Sequence, residues 1–174
     1  LEGNGVSVNI TDTLRPVPGL NVLYGQVTNG TLSVGDTVQA IVDAERRNDI
    51  MRNHTATHLL HRALHDVLGE HATQAGSLVA PERFRFDFNH PRAVTPEQLS
   101  EIEHRINAWV RADTVVEWEV TGYQEALDRG AMALFGEKYG DSVRMVTVGC
   151  ADDHAHGVMC SRELCGGIHV NRTG

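Results

Sequence analysis

Two short motifs, His54-Thr-Ala-Thr-His58 and Cys165-Gly-Gly-Ile-His169, form the pattern that most limits how this chain can fold. In the first, two imidazoles stand four residues apart. On a helix they project from one side and can reach a single ion. In the second, two glycines permit a tight turn that brings a thiolate and an imidazole together. One thiolate and three imidazoles make a tetrahedral donor set of the kind that suits one zinc ion. His-Thr-Ala-Thr-His lacks the glutamate of His-Glu-x-x-His, so the general base of the familiar metalloproteases is absent. A closed set of four ligands is typical of a structural metal. A catalytic one needs a fifth position, a displaced ligand, or Cys/His chemistry without a permanent ion. The residues alone leave both open.

The first motif sits in a helix predicted over Met51 to Gly69. Ala56, Leu60, Ala63, Leu64 and Val67 line one side at helical spacing, and Gly69 is a natural stop. His54, His58, His61 and His65 are separated by four, three and four residues and form a second stripe roughly opposite. The aliphatic side should rest on a core, and the imidazoles should face a cleft or solvent.

Residues 1–44 read as a β-rich subdomain, a small sheet or an incomplete barrel. Val6 to Ile10 alternates, Asn21 to Val27 and Thr37 to Val42 are short β-prone runs, and Asn29-Gly30 supplies turn chemistry. The composition changes at Asp43-Ala44-Glu45-Arg46-Arg47, which marks the junction to residues 45–174. There, Arg83 to Phe88 alternates strictly with three Phe on one face. Thr95, Pro96 and Gln98 give a cap, a first-turn proline and a capping-box partner. Leu99, Ile102, Ile106, Trp109 and Val110 mark the buried stripe of the following helix, which ends near Ala112. Val115 to Thr121 and Val143 to Val148 read as strands, Tyr123 to Gly130 as a short helix, and Asp152 to Gly157 as a loop. Val158 to Cys160 and Ile168 to Val170 read as short strands. The order points to an α+β fold with an antiparallel sheet and packed helices.

Composition narrows the class. The 174 residues can bury a core without disulfide staples. No run approaches a membrane-spanning length, and the start has neither a basic nor an apolar signal region. The net charge of −8 gives no support to a free-standing nucleic-acid binder. Lys138 is the only lysine, a bias read as coding composition. Three cysteines cannot form a complete disulfide framework, so reduced thiols in an intracellular setting are expected. Cys150 reads as an ordinary small strand residue, and His154, His156 and Cys160 form a competing cluster that reads first as part of a polar loop. The chain lacks an initiator Met and stops just after the Cys/His motif, as expected of a piece of a longer protein.

Four blocks in order resemble the editing domain of bacterial alanyl-tRNA synthetase: Asn53-His-Thr-Ala-Thr-His-Leu-Leu-His61, Gln74-Ala-Gly-Ser-Leu-Val79, Leu134-Phe-Gly-Glu-Lys-Tyr-Gly-Asp141 and Glu163-Leu-Cys-Gly-Gly-Ile-His-Val170. The resemblance covers essentially the whole chain. Stand-alone trans-editing proteins and the threonyl-tRNA synthetase editing domain share the two metal-type motifs but less of the rest.

The resemblance implies a cytoplasmic post-transfer editing module. It would hydrolyse the ester of seryl- and glycyl-tRNA(Ala) and spare alanyl-tRNA(Ala). Its partners would be the tRNA(Ala) acceptor end and the rest of a synthetase chain, with no membrane. His54, His58, Cys165 and His169 match the family's zinc and catalytic motif. Thr57 matches a threonine implicated in serine discrimination, Gln74 an editing-pocket residue, and Ser77 lies near that pocket by analogy. An alanine-activation pocket cannot exclude glycine sterically and rejects serine's extra hydroxyl poorly, hence a second site. The implied reaction is water attack on the aminoacyl ester; a covalent Cys165 nucleophile with His169 as base is the alternative. Two other readings are a stand-alone trans-editing deacylase and a zinc-stabilised tRNA-binding module without hydrolysis. The chain departs from the family at Ile168, where a threonine is usual, and the family's glycine-rich motif would lie before Leu1. Both bear on pocket polarity and activity.

Overall fold

The computed structural model describes residues 1–3, 5–17, 19–133, 139–150 and 160–174. They fall into two units, Leu1–Ala44 and Glu45–Gly174.

In the first unit the alternating run at Val6 opens a long strand. β1 (Glu2–Gly3), β2 (Val6–Val17) and β3 (Leu20–Asn29) form an antiparallel sheet in that order. Val8 pairs with Val27 and Leu14 with Val22, with register shifts between them. Thr37 to Val42 is not a strand. It meets the sheet through a single bridge, Glu2 to Gln39, because β1 offers only two residues of edge. Of the two forms expected for this β-rich segment it takes the open sheet, and the described residues close no barrel.

In the second unit, α1 spans Ala44–Leu68, starting earlier than the apolar periodicity suggested. Ala44-Glu45-Arg46-Arg47 are good helix formers, and Glu45 complements the positive helix start. Ala44 to Arg47, read as part of the junction, are its first turn. Gly69 ends it at φ 108°, its N–H bonding the His65 carbonyl.

Both sides of α1 are covered. Leu59, Ala63 and Leu64 are buried, but so are His58 and His61 at 4% and 3% exposure. The histidine stripe thus does not face solvent: His61 lies against Phe86, ring centroids 5.2 Å apart, and Glu163 approaches both imidazoles.

β4 (Gln74–Val79) and β5 (Phe84–Phe88) form an antiparallel hairpin. Gln-Ala-Gly-Ser has little strand propensity, so pairing with the Phe-rich β5 makes β4 a strand. In α2 (Pro96–Arg111) the capping box is complete: Gln98 N–H donates to Thr95 Oγ1 at 3.3 Å, and Thr95 N–H to Gln98 Oε1 at 3.0 Å. Ile102 is buried with Ala63, Leu64 and Ala72, and Ile106 and Trp109 pack beside them. Leu99, in the first turn, is 56% exposed, so the buried stripe begins at Ile102.

β6 (Val116–Gly122) leads into α3 (Tyr123–Asp128), then β7 (Ser142–Val148) and β8 (Ser161–Leu164). The sheet order is β6-β7-β8, antiparallel throughout. The central strand β7 supplies Val146 and Val148, which pack with Leu59 of α1 and Val116. Each such burial contributes about 1.5–3 kcal/mol.

Ile168 to Val170 is not a strand; Val170 N–H donates to Thr55 Oγ1 of α1 instead. Cys150 is not an isolated thiol. It is disulfide-bonded to Cys160, which corrects the expectation of three reduced cysteines. The two lie just after β7 and just before β8, close enough for the bond, with Cα atoms 4.6 Å apart. Asp152 to Gly157, with His154 and His156, and Val158 lie outside the described residues, as does most of the Leu134 to Asp141 block. No helix among the described residues is long and apolar enough to cross a membrane.

Candidate metal centre

α1 places His54 and His58 one turn apart, and the Gly166-Gly167 turn folds Cys165 and His169 back toward them. One donor atom from each of the four lies within 4.8 Å of every other. Cys165 Sγ is 3.4 Å from His54 Nε2 and 3.4 Å from His169 Nε2. Donors around a tetrahedral zinc at bond lengths of about 2.0–2.3 Å stand roughly 3.5 Å apart. A borderline-soft thiolate with three imidazoles is the donor chemistry of that ion.

The turn is built for close approach. A Cβ on Gly167 would lie 1.9 Å from His54 Cε1, so only glycine leaves room for that ring. Gly167 N–H points at Cys165 Sγ, 3.4 Å away. Arg144 of β7 holds the turn from outside. Its Nη1 donates to the carbonyls of Cys165, at 3.1 Å, and Gly167, while Cys165 N–H donates to the Arg144 carbonyl. The guanidinium lies 4.7 Å from the centre of the Trp118 ring. A cavity of ≈ 190 Å³ beside the cluster is lined by Arg47, Trp118, Arg144, Ile168 and His169, among others.

The electrostatics favour a thiolate. Burial pushes the Cys165 thiol up, but hydrogen bonding to His169, His54 and His58 outweighs this and brings it down to about 3. Burial pulls His58 down, but the Glu163 carboxylate and Cys165 together outweigh this and raise it to about 10. Burial opposes the charge of Glu163 too, yet His58 and His61 hold it well below the usual carboxylate range. His169 is lowered, chiefly by burial.

Thr57, Gln74 and Ser77, expected to line a substrate pocket, have local hydrogen-bond partners. Thr57, 6% exposed, donates its hydroxyl proton to the His54 carbonyl at 2.7 Å. Gln74 Nε2 donates to Ser77 Oγ at 3.1 Å, both on β4. Among the described residues no hydrogen bond joins Gln74 or Ser77 to the Cys/His cluster. Three contributors went unread in the sequence: Thr55, Arg144 and Glu163. Glu163 carried a signal, an acid two residues before Cys165 on a β-prone run, but alternation alone would have sent it to solvent.

No protein-family model matches the chain. Among curated proteins it is 66% identical over 177 residues to the alanine–tRNA ligase of Chloroflexus aurantiacus, covering 100% of this chain and 20% of that protein. The enzyme of the same name from Roseiflexus sp. strain RS-1 is 61% identical over 180 residues, with 96% and 20% covered. That of Bordetella pertussis is 49% identical over 174 residues, with 100% and 19% covered. The chain spans about a fifth of the length of these relatives.

Proposed function

The chain belongs to the alanine–tRNA ligase family, matching a segment about a fifth of its relatives' length, and from that premise we propose that it is a post-transfer editing module. It hydrolyses the ester of seryl- and glycyl-tRNA(Ala) and leaves alanyl-tRNA(Ala) intact. The observation that carries the reading is the convergence of His54, His58, Cys165 and His169 within 4.8 Å, in a chain of this family. The longer protein's ligase activity, and the tRNA(Ala) acceptor end as partner, belong to the same proposal.

His54, His58, Cys165 and His169 would hold one zinc ion, which supplies a Lewis acid for water, the ester carbonyl or the substrate's amino group. In the hydrolysis, water oxygen bonds to the ester carbonyl carbon and the bond to the ribose oxygen breaks. The water proton ends on the ribose hydroxyl, giving free amino acid and tRNA. Discrimination rests on polar complementarity. Thr57 already donates its hydroxyl hydrogen bond to the His54 carbonyl, so its oxygen can accept from a serine hydroxyl. Gln74 and Ser77 offer further polar atoms. Alanine's methyl would leave such groups unsatisfied.

The test is deacylation of seryl-tRNA(Ala) against alanyl-tRNA(Ala) by the 174-residue chain, with zinc content determined on the same sample. Selective loss of serine supports the editing reading. One observation favours a second reading, a zinc-stabilised tRNA-binding module: four converging donors leave a tetrahedral ion no open position. Chelation separates the two. A structural ion unfolds the domain when removed, whereas a reaction-site ion takes turnover with it and leaves the fold.

A further inference from the structure

Glu163 belongs to neither the donor set nor the substrate residues, yet it is buried against the cluster at 6% exposure. β8 carries it to α1, where its two oxygens are shared out. Oε2 is 3.3 Å from His58 Nδ1, and Oε1 is 3.4 Å from His61 Nδ1. Ser161 Oγ donates to Oε1 at 3.2 Å. A buried carboxylate is costly unless partnered, and these two imidazoles and one hydroxyl are its partners. His58 Nδ1 is buried without a fully formed hydrogen bond among the described residues, and the Glu163 carboxylate 3.3 Å away is the acidic group in reach of it.

A histidine can give only one nitrogen to an ion, and its other nitrogen must then keep the proton. His169 shows how this fold settles the matter: its Nε2 faces Cys165 Sγ, and its Nδ1 is 3.3 Å from Thr55 Oγ1. We propose that Glu163 is the positioning residue of the centre, holding the proton on His58 Nδ1 so that Nε2 is offered to the metal. His61 and Ser161 keep the carboxylate in place. Carboxylate–histidine–metal triads of this kind fix ring orientation and raise ligand basicity. The charges also balance, because a divalent ion, the Cys165 thiolate and the Glu163 carboxylate sum to zero around neutral imidazoles.

This inference rests on the metal reading of the site. Its test is zinc affinity, measured by competition with a chromophoric chelator, for the wild type, Glu163→Leu and Glu163→Gln. Leu removes both acceptors at similar volume; Gln keeps one. Circular dichroism checks each fold. Glu163→Leu should bind zinc about 10- to 100-fold more weakly, with Gln between it and the wild type. Equal zinc affinity in all three folded proteins overturns the role of Glu163 and leaves the metal centre standing. A folded wild type that binds no zinc overturns the centre and this proposal together. If the Leu variant does not fold, nitrogen-15 NMR of labelled histidines in the zinc-loaded wild type decides. His58 should carry its proton on Nδ1, and a proton on Nε2 overturns the proposal.

Discussion

Gly167 and His54 meet so closely that a single added methyl would overlap the imidazole, with a Cβ 1.9 Å from Cε1 and 2.4 Å from Nδ1. The backbone at Gly167 is not in the left-handed region, so an alanine there is resisted by this ring and not by its own conformation. Gly167→Ala should therefore fold and push His54 out of the cluster. Zinc affinity should fall roughly tenfold or more, with little change in chelator-treated stability. Unchanged affinity would show that His54 does not need this position.

Cys165→Ala removes the one anionic donor. Zinc content should drop, and hydrolysis of seryl-tRNA(Ala) should slow by roughly 10²-fold or more. Deacylation at the wild-type rate by a folded variant would remove the cluster from the reaction.

With a chelator present, the stability of the domain should form a plateau against pH. Cys165 has a folded value of about 3 against an ordinary 9.0. Its contribution is complete above 9 and is lost as pH falls toward 3. Glu163, also lowered, adds to the acid limb below its ordinary 4.5. His58 has a folded value of about 10 against an ordinary 6.5. Its contribution is complete below 6.5 and is lost as pH rises toward 10. Between 6.5 and 9 the Cys165 and His58 slopes cancel; below and above that window stability falls. Urea midpoints from pH 4 to 10 measure the profile. In Cys165→Ser the rise with pH between about 4.5 and 6.5 should become shallower, keeping only the part due to histidines lowered in the fold such as His169, and an unchanged slope there would contradict the assignment.

Arg144→Ala should destabilise the domain by about 1.5–3 kcal/mol, because charged donors leave two carbonyls of the Cys165–Gly167 turn. Trp118→Ala removes the guanidinium contact at an exposed site, and loss of that contact should cost about 0.5–1 kcal/mol. Urea denaturation of the two variants compares them, and equal losses would mean that Arg144 acts through the stacking and not through the turn.

Gln74→His should slow editing or blur serine against alanine. It alters a side chain whose partner is Ser77 and which makes no hydrogen bond to the cluster, so zinc content should be unaffected. Unaltered rates with both aminoacyl-tRNAs would take Gln74 out of the pocket.

The elements were legible where local chemistry decides. Thr95, Pro96 and Gln98 start α2 as their spacing says, and the Phe84, Phe86, Phe88 alternation is β5. They were illegible where a distant partner decides. Gln74 to Val79 is a strand because β5 pairs with it, and Thr37 to Val42 is not one because β1 is too short to hold it. The donor set could be read because each pair has its own local geometry. Glu163, Thr55 and Arg144 could not, since each acts through a residue far along the chain. The burial of His58 and His61 was missed for the same reason: the helix wheel shows two faces of α1, not what covers them.

His54 precedes Cys165 by 111 residues. While the chain is being synthesised, α1 and its two imidazoles emerge long before the thiolate that must join them. Two histidines on a helix are a weak site open to many divalent ions, and only the finished β7, the Arg144 anchor and the glycine turn convert them into a four-donor site. Tight metal capture would therefore report that the chain has been made as far as His169 and folded around the cluster. A truncated or misfolded copy would lack that mark and the chemistry that depends on it.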